Sequence, residues 1–209
     1  MRRPEFIARH GRCPSGFLGG LLARLMAYET APENETALRL LDVQPSDHVL
    51  EIGFGHGRTI AMTSARARDG FVAGVDPSES MLRMARRRNR QRIAEGKVEL
   101  VQGDATRLPY PDSRFDKVYS VHTLYFWADP AVTLREIRRV MKPGARFVLG
   151  FRPFDDQRLL DEFPAPIYKF YPRDEVQAFF RMVGFSAIQL LTGPSRTGKV
   201  LFAVAGRGA

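Results

Sequence analysis

Apolar residues follow two periods along this chain. Short runs rich in Val, Leu, Ile and Phe lie near residues 48–52, 71–75, 97–102, 115–121 and 146–151. Each is short enough for one buried strand, and the runs suit strands covered on both faces. Between them, near 57–68, 78–94 and 131–141, and again near 173–183, apolar positions recur every three or four residues, the spacing of an amphipathic helix. Strand and helix in alternation predict an α/β fold: a doubly wound, mostly parallel sheet with helices on both faces. The segments SAIQLLT and KVLFAVAG flank a GPSRTG turn and predict a C-terminal antiparallel hairpin. Ahead of the first strand, Gly16 to Ala27 and Glu33 to Leu41 read as two helices.

The ends of the strands carry the candidate chemistry. Val49 to Gly57 reads VLEIGFGHG. Gly53, Gly55 and Gly57 allow a sharp turn in which a ligand lies against bare backbone, and Glu51 sits within reach of the ligand's polar groups. The dinucleotide fingerprint needs its third glycine three positions after the second, but Gly55 is followed by His56, Gly57 and Arg58. A hydride-transfer enzyme is therefore an imperfect match. The second strand ends on Asp76, followed by Pro77 and Ser78. In a doubly wound sheet, an acidic residue about 20 positions beyond the glycine turn binds ribose hydroxyls. The alternative for Asp76 is a helix N-cap, for which Ser78 is the better candidate. The third strand runs into Gly103, Asp104 and Ala105, a string that in isolation reads as a turn. Val140 to Phe151, VMKPGARFVLGF, passes from helix through a Lys-Pro-Gly turn into the fifth strand.

In this order, these motifs resemble the class I S-adenosylmethionine (SAM) dependent methyltransferases, over about Asp42 to Arg152 and more weakly beyond. The resemblance implies a Rossmann-like sheet with SAM as cofactor. It places Gly53, Gly55 and Gly57 at the methionine portion with Glu51 beneath, and Asp76 and Pro77 at the ribose. Asp104 and Ala105 fall at the adenine edge, and Ser120 with His122 on the sulfonium side. The activity implied is methyl transfer to a small-molecule acceptor by direct displacement. The alternatives are a nucleic-acid or phospholipid methyltransferase and a SAM-binding protein without catalysis.

Composition narrows these alternatives. At 209 residues and 44% apolar, the chain predicts a single domain over 1–209, with 1–46 as an N-terminal helical cover and 153–171 as a substrate lid. No apolar run approaches the roughly 20 residues of a membrane span, and the start MRRPEFIARHGRC lacks a secretion signal's apolar core, so a cytoplasmic enzyme is expected. Cys13 is the only cysteine, which leaves no internal disulfide or thiolate cluster, and four scattered histidines suggest no metal site. The net charge of +9 invites a nucleic-acid partner. Much of the excess is one cluster on a single predicted helix, Arg83, Arg86, Arg87, Arg88, Arg90 and Arg92, which reads as a solvated face or as a phosphate-binding stripe.

Amino methyltransferases acting on nucleic acid in this family carry Asn or Asp, two prolines and an aromatic after the fourth strand. Here Ser120, Val121, His122 and Thr123 stand there, and Cys13 is far from this point as a nucleophile for cytosine carbon. Nucleic acid is not the expected partner. The N-terminal GFLGGLLARLMA with arginines ahead of it suggests a membrane-surface anchor, but residues 1–48 hold six basic and six acidic side chains. A pocket cover fits this neutral segment better.

Residues just after the fourth strand face a ligand at the sheet's carboxyl edge, which makes His122 and Tyr125 the catalytic candidates. His122 is a general-base candidate toward a hydroxyl or amine; the alternative is a histidine hydrogen-bonded in the pocket wall. Tyr125, Phe126 and Trp127 also read as core. The aromatic stretch Phe151 to Tyr171, with Arg152, Phe154, Phe163, Tyr168 and Phe170, suits a lid over an apolar or aromatic acceptor.

Overall fold

The apolar runs fold as β1 (His48–Ile52), β2 (Phe71–Asp76), β3 (Val98–Gln102), β4 (Phe115–Val121) and β5 (Met141–Phe151). In this computed structural model, which describes residues 30–154, 163, 167–196 and 198–208, the five pair in parallel. Strands β6 (Phe185–Gly193) and β7 (Val200–Arg207) form the antiparallel hairpin that completes a seven-stranded sheet in the order β3-β2-β1-β4-β5-β7-β6. The sequence order reverses between β1 and β4, the switch point where ligands bind in open α/β sheets.

Both faces of the sheet are covered. On one, α1 (Ala31–Leu41), α2 (Arg58–Arg66) and α3 (Glu79–Arg88) bury Leu38, Ile60 and Leu82 against Val49, Tyr119 and Val148. On the other, α5 (Pro130–Val140) and α6 (Arg173–Met182) bury Leu134, Ile137 and Phe180 against Leu50, Val118 and Phe147. The alternation of strand side chains decides which residue meets which layer. Thus Leu50 and Ile52 enter one core while Val49 and Glu51 face the other. Helix starts follow local chemistry. Ser78 Oγ accepts the Met81 amide at 3.3 Å ahead of α3, and Asp129 accepts the amides of Ala131 and Val132 ahead of α5, with Pro130 in the first turn.

Two boundaries differ from the sequence expectation. The helix expected over 78–94 is broken into α3 and α4 (Arg90–Ala94). At the break, buried Asn89 donates its side-chain amide to the carbonyls of Ala85 and Gly57, 2.9 and 3.0 Å away, so α3 ends where this side chain ties it to the glycine turn. The fifth strand starts at Met141 rather than 146 and absorbs the Lys-Pro-Gly turn as a bulge. Pairing jumps from Phe115–Met141 to Lys117–Arg146, and Gly144 takes φ +77°.

Of the segment 153–171, the described part is packed rather than flap-like. Phe163, Tyr168, Phe170 and Tyr171 are buried in the core with Tyr125, and among the described aromatic residues of the segment only Phe154 is exposed, at 43%. The helix expected over Gly16–Ala27, and Cys13, lie outside the described residues. Among those described, no helix is long and apolar enough to cross a membrane.

Candidate active site

At the carboxyl edge of β1 to β4 the structure holds a cavity of about 610 Å³, within the usual range of small-ligand sites. Its walls include Glu51, Gly53, Gly55, Asp76, Pro77, Asp104, Ala105 and His122. The other three sequence candidates, Gly57, Ser120 and Tyr125, stand behind these walls.

The turn after β1 is built around Asp76. Gly55, at φ +52°, donates its amide to Asp76 Oδ2 at 2.8 Å, and Ser78 donates its amide to Oδ1 at 2.9 Å. Asp76 is 6% exposed, and burial raises its pKa against the opposing pull of these two amides. The carboxylate therefore locks together the two turns that border the ligand space. A Cβ on Gly55 would meet nothing within 4 Å, so bare backbone opens here onto the cavity. Gly57, at φ +76°, has another reason for being glycine: a Cβ there would lie 2.6 Å from Ala85 Cβ and 2.8 Å from its Cα. It lets α3 approach the turn.

Glu51 and Tyr119 are paired in register on β1 and β4, so their side chains share a face, and Tyr119 donates its hydroxyl proton to Glu51 Oε2 at 2.7 Å. Burial pushes the Glu51 carboxyl up to about 8; the tyrosine bond opposes the shift and the neighbouring Asp76 charge adds to it. Sequence reading missed Tyr119, although a tyrosine inside a buried strand requires a polar partner. Ser120 donates to the Ile52 carbonyl at 2.8 Å and lies 2.5 Å from Thr123 Oγ1, pinning β4 to β1. Thr123 is the residue that reaches the cavity. Asp104 Oδ1 accepts from the Thr106 amide and hydroxyl at 2.8 and 2.6 Å, and Gln102 holds the Pro77 carbonyl at 3.0 Å.

Val121, Phe126 and Trp127 also line the cavity, together with Thr30 and Asn34 at the start of α1. Behind Phe126 lies an aromatic layer of Tyr125, Tyr168, Phe163 and Phe170 with centroids 4.8 to 6.2 Å apart. Tyr168 packs on Phe126 at 4.9 Å. Thr30 and Asn34 come from the start of α1 and Thr123 and Trp127 from the turn after β4, two segments far apart in sequence whose proximity no local spacing announces. Burial, then the Arg152 cation, drive the His122 imidazole pKa down to about 3. No group of three or more potential metal ligands occurs among the described residues.

Comparison with known proteins agrees with this geometry. A family model described as a methyltransferase domain matches residues 50–149. The demethylmenaquinone methyltransferase of Symbiobacterium thermophilum is 41% identical over 106 residues, covering 50% of this chain and 42% of that protein. The 27-O-demethylrifamycin SV methyltransferase of Amycolatopsis mediterranei is 33% identical over 129 residues, 58% of this chain and 47% of that protein. The matched stretch thus spans less than half the length of these two relatives. Among solved structures, a SAM-dependent methyltransferase from Aquifex aeolicus shares the fold with a TM-score of 0.69 at 20% identity, covering 87% of this chain and 93% of that one. The uncharacterized methyltransferase YdaC of Bacillus subtilis (strain 168) is 31% identical over 166 residues, covering 79% of this chain and 86% of that protein. Identity of that degree over most of both chains makes this one a member of the class I SAM-dependent methyltransferase family.

Proposed function

We propose that the protein transfers the methyl group of SAM to a small-molecule acceptor by direct displacement. The observation that carries this reading is one cavity, at the carboxyl edge of the sheet, that gathers the residues expected to hold the cofactor: Glu51, Gly53 and Gly55 toward the methionine portion, Asp76 and Pro77 at the ribose, Asp104 and Ala105 at the adenine edge. Gly57 and Ser120 support it from behind by fixing α3 and the β1–β4 edge. Phe126, Trp127 and Val121 add apolar lining to the same cavity, which suits a compact acceptor.

Bound SAM supplies a methyl on a sulfonium: the acceptor's electron pair forms the bond to carbon, and the C–S pair stays on sulfur. The protein's part is to align the acceptor and keep water out. The aromatic layer behind Phe126 holds that lining in shape, the role proposed for the described part of 153–171. The names of the rifamycin and demethylmenaquinone relatives support a small-molecule acceptor.

The test is incubation of the protein with methyl-labelled SAM and metabolite extracts. Label is expected in a small product. Label in nucleic acid, lipid or protein would replace this reading, and SAM binding without label in any fraction would favour the non-catalytic alternative.

A further inference from the structure

One ring beside the cavity has a proton whose position the hydrogen bonds determine. His122 follows β4 at φ +60°, a left-handed conformation unusual for a residue with a side chain, with its amide donating to the Gly150 carbonyl at 2.8 Å. Its Nδ1 lies 3.1 Å from Tyr125 Oη. That same oxygen receives the backbone N–H of Arg152 at 2.5 Å. A backbone N–H cannot accept, so the phenol is the acceptor toward Arg152; were it to accept from an Nδ1–H as well, its own buried proton would have no acceptor among the contacts described, and the arrangement that uses every donor sends that proton to His122 Nδ1. Burial raises the Tyr125 pKa far above the usual tyrosine range, so the phenol keeps that proton. Nδ1 therefore accepts, and the imidazole's own hydrogen is on Nε2. Nε2 is shielded from solvent and has no hydrogen-bond partner among the described residues, while the residue lines the cavity. An unsatisfied buried donor is unfavourable, and an oxygen entering the cavity relieves it.

We propose that Tyr125 fixes the proton of His122 on Nε2, and that His122 donates this N–H to an oxygen of the methyl acceptor instead of removing a proton from it. The second half rests on the methyltransferase reading above; the first does not. The charged and titratable groups acting on the pair are Arg152 on both members, with Tyr168 and Glu33 on Tyr125. With its weak proton affinity, His122 gives no general-base help near neutral pH.

A donor beside a cation selects an oxygen that carries negative charge. Together with the apolar lining, this points to phenols, enols and carboxylic acids on flat or apolar bodies. Those among them that are acidic enough to lose the proton to solvent before binding, carboxylic acids and the more acidic phenols and enols, arrive ionised. His122 holds one lone pair of the oxygen, and the electron pair that attacks the methyl carbon needs no deprotonation by the enzyme.

Long-range ¹H–¹⁵N spectroscopy of protein labelled in histidine decides the first half, with the His122 signals assigned by their loss in His122→Gln. The expected pattern is Nε2-protonated and unchanged between about pH 5.5 and about pH 8, where an ordinary histidine titrates. In Tyr125→Phe, population should shift toward the Nδ1–H form. An Nδ1–H pattern in the unmodified protein, or a midpoint within that pH range, overturns the proposal. So does a Tyr125→Phe spectrum identical to the unmodified one. These spectra need no ligand, so failure to bind SAM would sink the methyltransferase reading and leave the tautomer decided.

With the acceptor found by label transfer, His122→Ala should lower kcat/KM about ten- to a hundredfold, the effect of losing one hydrogen bond to a charged group. His122→Gln, which places an N–H near Nε2, should recover much of that loss, and His122→Asn should not. Equal losses in Gln and Ala, or a product methylated on a site with no acidic oxygen, rule out the donor role.

Discussion

Asp76 ties the fold together at the edge of the cavity. Its two oxygens hold the amides of Gly55 and Ser78, and in the proposed function the same carboxylate, its position already set, takes the ribose hydroxyls. Asp76→Ala should weaken SAM binding by about 1.5–3 kcal/mol in calorimetry, the loss of hydrogen bonds to a charged acceptor, and lower the melting temperature. A lower melting temperature with unchanged affinity would leave Asp76 only a structural role. Glu51 makes a pH-dependent contribution. Burial holds its folded pKa at about 8, above the ordinary glutamate value of 4.5, so between these values the folded state binds the extra proton. This contribution is present in full below about pH 4.5 and is lost as pH rises through about 8. Glu51→Gln, which keeps a neutral side chain of the same shape, should flatten the stability profile across that window in denaturant titrations. An unchanged slope would mean that Glu51 is already ionised in the folded protein.

Of the three left-handed glycines in the turn between β1 and α2, Gly55 and Gly57 have opposite surroundings. Gly55 sits at φ +52° with open space at its Cβ position, and Gly57 at φ +76° against Ala85. Alanine at either site meets the left-handed penalty of about 1–2 kcal/mol. Gly57→Ala should lose more, because the added methyl meets the backbone of α3, while Gly55→Ala should stay folded and bind SAM poorly as its methyl enters the ligand space. Thermal denaturation and calorimetry on the two variants separate these effects, and equal melting temperatures would refute the distinction. The strands were legible from sequence because their periods and bounding turns are local. The break at Asn89 was not, since its cause is a bond to Gly57, 32 positions away. The residues proposed for the cofactor fall at strand ends in a fixed order, and Glu51, Gly53, Gly55, Asp76, Pro77, Asp104 and Ala105 come together around one cavity for that reason. Thr30 and Asn34 at the start of α1, and Trp127 after β4, come from two segments far apart in the chain, so only the folded sheet brings them together.

Net charge acts on the whole molecule, and its meaning depends on where the charges point. Arg83 pairs with Glu79 at 2.5 Å, Arg86 donates to the Leu100 carbonyl at 3.0 Å, and Arg87 and Arg90 are exposed. None of these four lines the cavity. Charge on α3 and α4 then serves solvation, and a +9 chain need not act on nucleic acid. Reversing Arg87 and Arg90 to Glu together should leave SAM affinity and turnover on the true acceptor nearly unchanged, with stability shifted by no more than about 0.5 kcal/mol per site. A phosphate-binding stripe behaves differently, because neutralised phosphates release counterions and binding falls steeply with salt. Labelled RNA or duplex DNA at low ionic strength is therefore the control. If the double reversal abolishes both its binding and methyl transfer, and activity of the unmodified protein drops sharply with added salt, the acceptor is a polymer lying across α3 and α4, and the small-molecule reading is wrong.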